Sequence, residues 1–123
     1  MKKPAPIEIS DLDHLLPLMM EFQFRVEWHV RCDIGPDWIG AGREIRFYLE
    51  QRPLAGNSFH QYLKDILVQA LSIPDECPDA VINGYGTITR VLDVLEIEYE
   101  WSEAVPYMDP RESRFGKVEF LRI

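Results

Sequence analysis

Twelve consecutive residues, from 23 to 34, alternate strictly between polar and apolar side chains. The apolar set is Phe24, Val26, Trp28, Val30, Cys32 and Ile34. The polar set is Gln23, Arg25, Glu27, His29, Arg31 and Asp33. Because successive side chains of a β-strand point to opposite faces of a sheet, this pattern predicts a long strand with one face in the core and the other in solvent. The fold must therefore include a sheet that is covered on one side only.

Two segments have the periodicity of helices. Residues 10 to 13, Ser-Asp-Leu-Asp, are typical of a capped helix start and open a short amphipathic helix, in which Pro17 either introduces a kink or delays the start. A longer helix, the principal one, follows from residue 58, where Ser58 and Gln61 are spaced as a capping box and apolar residues recur at helical intervals. Pro74 is expected to end it.

Further strands are indicated on both sides of the principal helix. Residues 43 to 50 alternate again and should pair antiparallel with the first strand, ending before Pro53. Residues 81 to 92 have strand composition, but the stretch 83 to 86 contains two glycines and predicts a bulge or bend there. A loop that holds Trp38 joins the first two strands.

The second half of the chain predicts a hairpin. Residues 94 to 101 alternate, and a tight turn near Asp93 would pair them with the preceding strand. Residues 117 to 121 predict a short edge strand after a loop-like tail. No regular β-α-β alternation exists, so the expected class is α+β: a mainly antiparallel sheet of four to five strands, the principal helix on one face, and a short N-terminal helix.

Length and composition fit one domain that spans residues 1 to 123. The chain is 46% hydrophobic and 11% aromatic, which suffices for a packed core and argues against disorder. Charged residues follow the short basic start of the chain where a signal peptide would be apolar, so a cytoplasmic protein is expected. No apolar run is long enough to cross a bilayer.

Negative charge is concentrated in one segment of the chain. The net charge is −8, and residues 75 to 109 hold nine acids against the single base Arg90. Glu96, Glu98 and Glu100 share one face of the predicted strand. This row is either the solvated face of a half-buried strand or a binding surface, and the absence of interleaved Lys or Arg between these like charges favours the latter. Such a surface disfavours nucleic acid and anionic membranes, and its complementary partner is a basic protein.

The residues that commonly carry chemistry are scattered. Cys32 and Cys77 are far apart, and His29 and Cys32 project to opposite faces of the first strand, so they cannot share a metal ion. The three histidines, at positions 14, 29 and 60, belong to different elements and to no catalytic motif. We therefore predict no catalytic residue, no metal site and no cofactor.

The leading hypothesis is a non-catalytic inhibitor or adaptor whose acidic hairpin engages a basic protein, such as a nuclease or another nucleic-acid-binding protein. In size, charge and architecture the chain resembles bacterial toxin-immunity proteins and phage anti-CRISPR inhibitors. The glutamates would steer association, and an aromatic residue would supply the anchor. The predicted partner-binding residues are Glu96, Glu98, Glu100, Trp101, Glu103 and Tyr107.

Two other hypotheses remain open. A small enzyme or ligand-binding domain would use a pocket between sheet and helix with the polar face of strand 23–34 as its lining. The lining residues would be Arg25, Glu27, His29 and Arg31, with Arg46 and Tyr48 beside them. A structural homo-oligomer is the third hypothesis, because Trp38 and Ile39 are apolar residues in a glycine-rich loop with no evident place in the core.

Overall fold

A computed structural model describes residues 5–31, 42–74, 81–104 and 110–123. It contains two helices and six strands: α1 (Leu12–Met19), β1 (Phe24–Arg31), β2 (Gly42–Leu49), β3 (Arg52–Pro53), α2 (Ser58–Leu71), β4 (Val81–Val91), β5 (Val94–Ala104) and β6 (Pro110–Arg122). The strands form one sheet in the order β3-β2-β1-β4-β5-β6, and all neighbours are antiparallel. The α+β class is confirmed. The sheet has six strands rather than four to five, because β3 adds a two-residue edge strand.

The first strand follows its predicted alternation. Phe24, Val26, Trp28 and Val30 are all buried in the core. The last three predicted residues, 32–34, lie outside the described part of the chain. Antiparallel pairing with β2 is confirmed, with Val26 opposite Phe47.

β4 runs through its glycines without a bulge. Its pairing is regular on both sides, with β1 and with β5, so the bend predicted at residues 83–86 is wrong. The physical reason is close packing. A Cβ atom on Gly84 would overlap Cε2, Cζ2 and Nε1 of the Trp28 indole, and one on Gly86 would lie 2.8 Å from Cδ1 of Ile97. These glycines leave room for large core side chains and do not turn the strand.

The predicted hairpin is present, with a two-residue turn at Leu92 and Asp93. Leu92 has a φ of 58°, a left-handed conformation that reverses the chain. β5 continues three residues past its predicted end. β6 is also longer than the predicted segment 117–121: it spans 13 residues and forms an edge of the sheet.

Both helices begin with a side-chain cap. Asp11 caps α1 by accepting a hydrogen bond from the His14 amide at 2.8 Å, and Pro17 lies inside the helix without delaying its start. The cap of α2 is Asn57, which accepts a hydrogen bond from the His60 amide at 2.9 Å. The capping box predicted from Ser58 and Gln61 is therefore wrong, because Ser58 is already helical and the cap precedes it.

The sheet curves around α2, so that its core face is concave. In sheet order, three strands lie between β2 and β6, so these two strands would be about 19 Å apart in a flat sheet. Nevertheless, the rings of Phe47 on β2 and Phe120 on β6 lie with centroids 6.0 Å apart. The buried side of α2 packs into this concavity, through Phe59, Leu63, Leu67 and Leu71. The opposite, outer face of the sheet lies away from the helices.

His60 is the one buried polar residue of the described core. Its ring packs edge-on against Phe47 with centroids 5.7 Å apart, and its Nε2 atom has no hydrogen-bond partner among the residues that the structure describes. Burial lowers the pKa of His60 below 6.5, and the nearby Lys64 lowers it further. Folding therefore favours the neutral imidazole over the protonated form.

This burial predicts a pH dependence of stability. Below pH 6.5 His60 is protonated in the unfolded chain but still neutral in the folded protein. The free energy of unfolding should therefore fall as the pH drops from 6.5 through the lowered pKa. A His60→Leu variant lacks this loss. We expect its stability relative to the wild type to rise between pH 7.5 and 5, by about 1.4 kcal/mol per unit of pKa shift. Urea titrations at each pH measure it, and a constant difference would refute the assignment.

Candidate partner-binding surface

Side chains from three adjacent strands form a short row on the outer face of the sheet. Tyr85 on β4 is opposite Glu100 on β5, and Glu100 is opposite Phe115 on β6. The two aromatic residues are strongly exposed, Tyr85 at 58% and Phe115 at 80%. The Tyr85 hydroxyl donates a hydrogen bond to the Glu100 carboxylate. An anionic group is thus held between two exposed rings.

A second row lies beside the first. Glu98 on β5 is opposite Thr87 on β4 and Lys117 on β6. The Nζ atom of Lys117 is 4.0 Å from Oε1 of Glu96. The sequence around the three glutamates suggested that no cation lies beside them. The structure shows otherwise, because the neighbouring strand supplies a lysine. An ion pair this exposed contributes little to stability.

These two rows border a shallow groove. Its volume is about 470 Å³, and its lining includes Tyr85, Glu98, Glu100, Phe115 and Lys117. We call the set Tyr85, Glu98, Glu100 and Phe115 the acidic-aromatic patch. Exposed aromatic residues beside charged groups are typical of protein interfaces.

A second groove adjoins the patch and shares Tyr85 and Glu100 with it. It has a volume of about 460 Å³. On its floor, Nδ1 of His29 lies 2.6 Å from Oδ1 of Asn83, which positions the imidazole. Its lining residues are Glu27, His29, Asn83, Gly84, Tyr85, Glu100, Ser102 and Ser113.

The structure brings together only part of the predicted binding set. Glu96, Glu98 and Glu100 share the outer face, as their alternation indicated. Trp101 belongs to the core: it is 3% exposed, and its ring lies 6.1 Å from that of Trp28. The Arg114 guanidinium covers the Trp101 ring at 4.2 Å, so this tryptophan presents no exposed anchor.

Of the remaining two predicted residues, only Glu103 is described, and it does not join the patch. Glu103 is opposite Ile82, a buried core residue, and is half-buried on the same side of β5 as Trp101. Tyr107 lies outside the described residues. Two exposed aromatic residues of the patch, Tyr85 and Phe115, were not among the predicted site residues. An uninterrupted strand over residues 81 to 91 would place Tyr85 on the outer face, and this is the signal that points to it. Phe115 precedes the predicted edge strand 117–121, in the tail that was predicted to be a loop.

Of the polar lining predicted on strand 23–34, Glu27 and His29 border the second outer groove rather than a pocket between sheet and helix. Arg46, predicted beside them, lines a separate groove together with His60 and Lys64 of α2. Arg25 and Glu27 pair at 3.0 Å, and the Arg25 guanidinium also lies 4.4 Å from the centre of the Tyr48 ring. The side chain of Arg31 and the residues Trp38, Ile39, Cys32 and Cys77 lie outside what the structure describes.

The described residues contain neither a candidate metal site nor a membrane-spanning helix. No three His, Cys, Asp or Glu side chains are grouped there so as to hold a metal ion. Neither helix has the length and apolar character needed to cross a bilayer. Comparison of the chain with protein-family models, with characterised proteins and with solved structures finds no significant match.

Proposed function

We propose that this protein is a non-catalytic inhibitor or adaptor that binds a basic protein through the acidic-aromatic patch. The observation that supports it best is the row Tyr85, Glu100 and Phe115, which sets a carboxylate between two exposed rings. Rings of this size bury a large area when a partner docks, and they lose little conformational freedom. The carboxylate at the centre selects for positive charge.

Arginine is the partner residue that fits this arrangement best. Its planar guanidinium stacks on aromatic rings and also donates two parallel hydrogen bonds to a carboxylate. Glu98 lies two residues from Glu100 on the same face of β5 and offers a second acceptor. Arginine-rich surfaces are common on proteins that process nucleic acids, and an acidic module that covers such a surface would block access to it.

The overall charge supports the same class of partner. The chain carries a net charge of −8, so its field attracts a basic surface before contact and repels nucleic acid. Long-range attraction of this kind raises the association rate more than it slows dissociation. The aromatic residues should instead determine how slowly the complex dissociates.

The test separates these two contributions. Proteins from the source cells are captured on the immobilised chain, and the captured partner is purified for kinetics. We expect Glu98→Gln/Glu100→Gln to lower the association rate constant about tenfold at low salt and hardly at all at high salt. The matched control is Glu8→Gln/Glu21→Gln, which removes the same charge from two exposed residues outside the patch.

The contribution of the aromatic residues is tested with Tyr85→Ala, which should accelerate dissociation and leave the association rate nearly unchanged. Equal association rates and salt slopes for the patch variant and the control variant would rule out this surface. A captured partner with an acidic binding face would do the same.

A second candidate function is the binding of a small polar ligand in the adjoining groove, which the His29–Asn83 contact favours. Because Oδ1 of Asn83 can only accept, Nδ1–H of His29 donates to it, and Nε2 is left to accept a hydrogen bond from a ligand. Native mass spectrometry of the purified protein would reveal a retained small molecule. The Asn83→Ala variant should lose that molecule if this function is correct.

A further inference from the structure

β6 is a long exposed edge of the sheet. It is the last strand in the sheet order and has 13 residues, whereas the strand at the opposite edge, β3, has two. Within the described part of the chain, no strand pairs with the outer side of β6. Such an edge presents a row of unpaired backbone N–H and C=O groups and readily accepts another strand. Phe115, 80% exposed, lies in the middle of it.

We propose that a second copy of this chain pairs with β6 in antiparallel fashion, about a two-fold axis at Phe115. The regular part of β6 supports this centre. Register shifts interrupt the β5–β6 ladder at both ends, so the regular stretch runs from Glu112 to Glu119 and has its midpoint between Phe115 and Gly116. An axis at Phe115 lies next to this midpoint and pairs residues 112–118 of the regular stretch.

Avoidance of like-charge contacts, together with contact between the exposed rings, selects the register. With Phe115 opposite its own mate, Ser113 is opposite Lys117 of the second copy, and Arg114 is opposite Gly116 of the second copy. Directly opposed like charges destabilise a strand pair, and centring the axis on Arg114 or on Lys117 would set each cation against itself. Centring on Gly116 avoids that conflict, but it places the exposed ring of Phe115 against a lysine instead of another ring.

Pairing in this register also extends the acidic-aromatic patch. The row Tyr85, Glu100 and Phe115 would continue into the equivalent row of the second copy in reverse order. The dimer would thus present two patches on one continuous outer face. This inference concerns self-association and does not depend on the identity of a basic partner.

Disulfide trapping tests the register. In a Cys32→Ser/Cys77→Ser background whose circular dichroism matches the wild type, we expect Phe115→Cys to cross-link to itself under mild oxidation. Ser113→Cys and Lys117→Cys alone should stay monomeric on non-reducing gels, and a mixture of these two should cross-link, since directly opposed Cβ atoms are close enough for a disulfide. Self-cross-linking of Lys117→Cys, or none by Phe115→Cys and the mixture, would overturn the proposal.

Sedimentation of the unmodified protein provides an independent readout. The wild type should sediment as a concentration-dependent dimer, and Phe115→Lys should be a monomer with an unchanged circular dichroism spectrum. The control is Met20→Lys, since Met20 is 89% exposed and lies outside β6; it should remain dimeric. The Glu98→Gln/Glu100→Gln variant should also remain dimeric, so failure of the partner hypothesis is distinguishable from failure of this one. A monomeric wild type would refute the dimer.

Discussion

Replacing Gly84 with alanine is expected to lower the free energy of unfolding by about 3 kcal/mol, near the upper end of the usual cost of overpacking a core. The added Cβ would overlap the indole ring of Trp28, which is fully buried. The indole cannot move away freely, because the ring of Trp101 packs beside it. Denaturant titration followed by circular dichroism measures the change.

Gly56 offers the matched control for this substitution. An added Cβ there meets no heavy atom within 4 Å, so Gly56→Ala should change stability by less than about 0.5 kcal/mol. A second control tests the cause. In a Trp28→Leu background, which lacks the overlapping ring atoms, Gly84→Ala should cost at least about 1 kcal/mol less. Strict additivity of the two substitutions would show that Gly84 is required for some reason other than space for the indole.

Gly84 also shows why β4 was only partly predictable. Alternation identified β1 because every second residue is apolar, and the same period places Ile82, Gly84, Gly86 and Ile88 on the core face of β4. Glycine carries no side chain that could mark a buried position, and a pair of glycines usually indicates a bend. The requirement for them comes from Trp28 and Ile97, which lie on neighbouring strands and are distant in sequence.

The part of the candidate site that could be predicted is the part in which local alternation determines the face of the strand on which a side chain lies. The common face of Glu98 and Glu100 follows from a period of two, and the same period places Trp101 with Leu95 and Ile97 in the core. Phe115 could not be found in this way, since the residues around it show no alternation and form a strand only by pairing with β5. The position of Lys117 opposite Glu98 likewise depends on the β5–β6 register.

Truncation of Phe47 to alanine is the other substitution for which we expect a large effect, a loss of about 4 kcal/mol of unfolding free energy. Phe47 is fully buried and contacts rings on three elements: Phe24 of β1 at 5.6 Å, His60 of α2 at 5.7 Å and Phe120 of β6 at 6.0 Å. Removing it leaves a cavity where β2, α2 and β6 meet. Denaturant titration measures the loss, and a change below about 1 kcal/mol would contradict this packing.

A double-mutant cycle between Phe47 and Phe120 tests the curvature of the sheet itself. In a flat sheet these residues would be about 19 Å apart, too far to interact. In the curved sheet they share one contact, so Phe47→Ala and Phe120→Ala should be coupled by about 1 kcal/mol. Val91 is half exposed at the end of β4, and Val91→Ala should be additive with Phe47→Ala. If Phe120→Ala were as additive with Phe47→Ala as Val91→Ala is, the two rings would not be in contact. The sheet would then be open, and β6 would not reach α2 and β2.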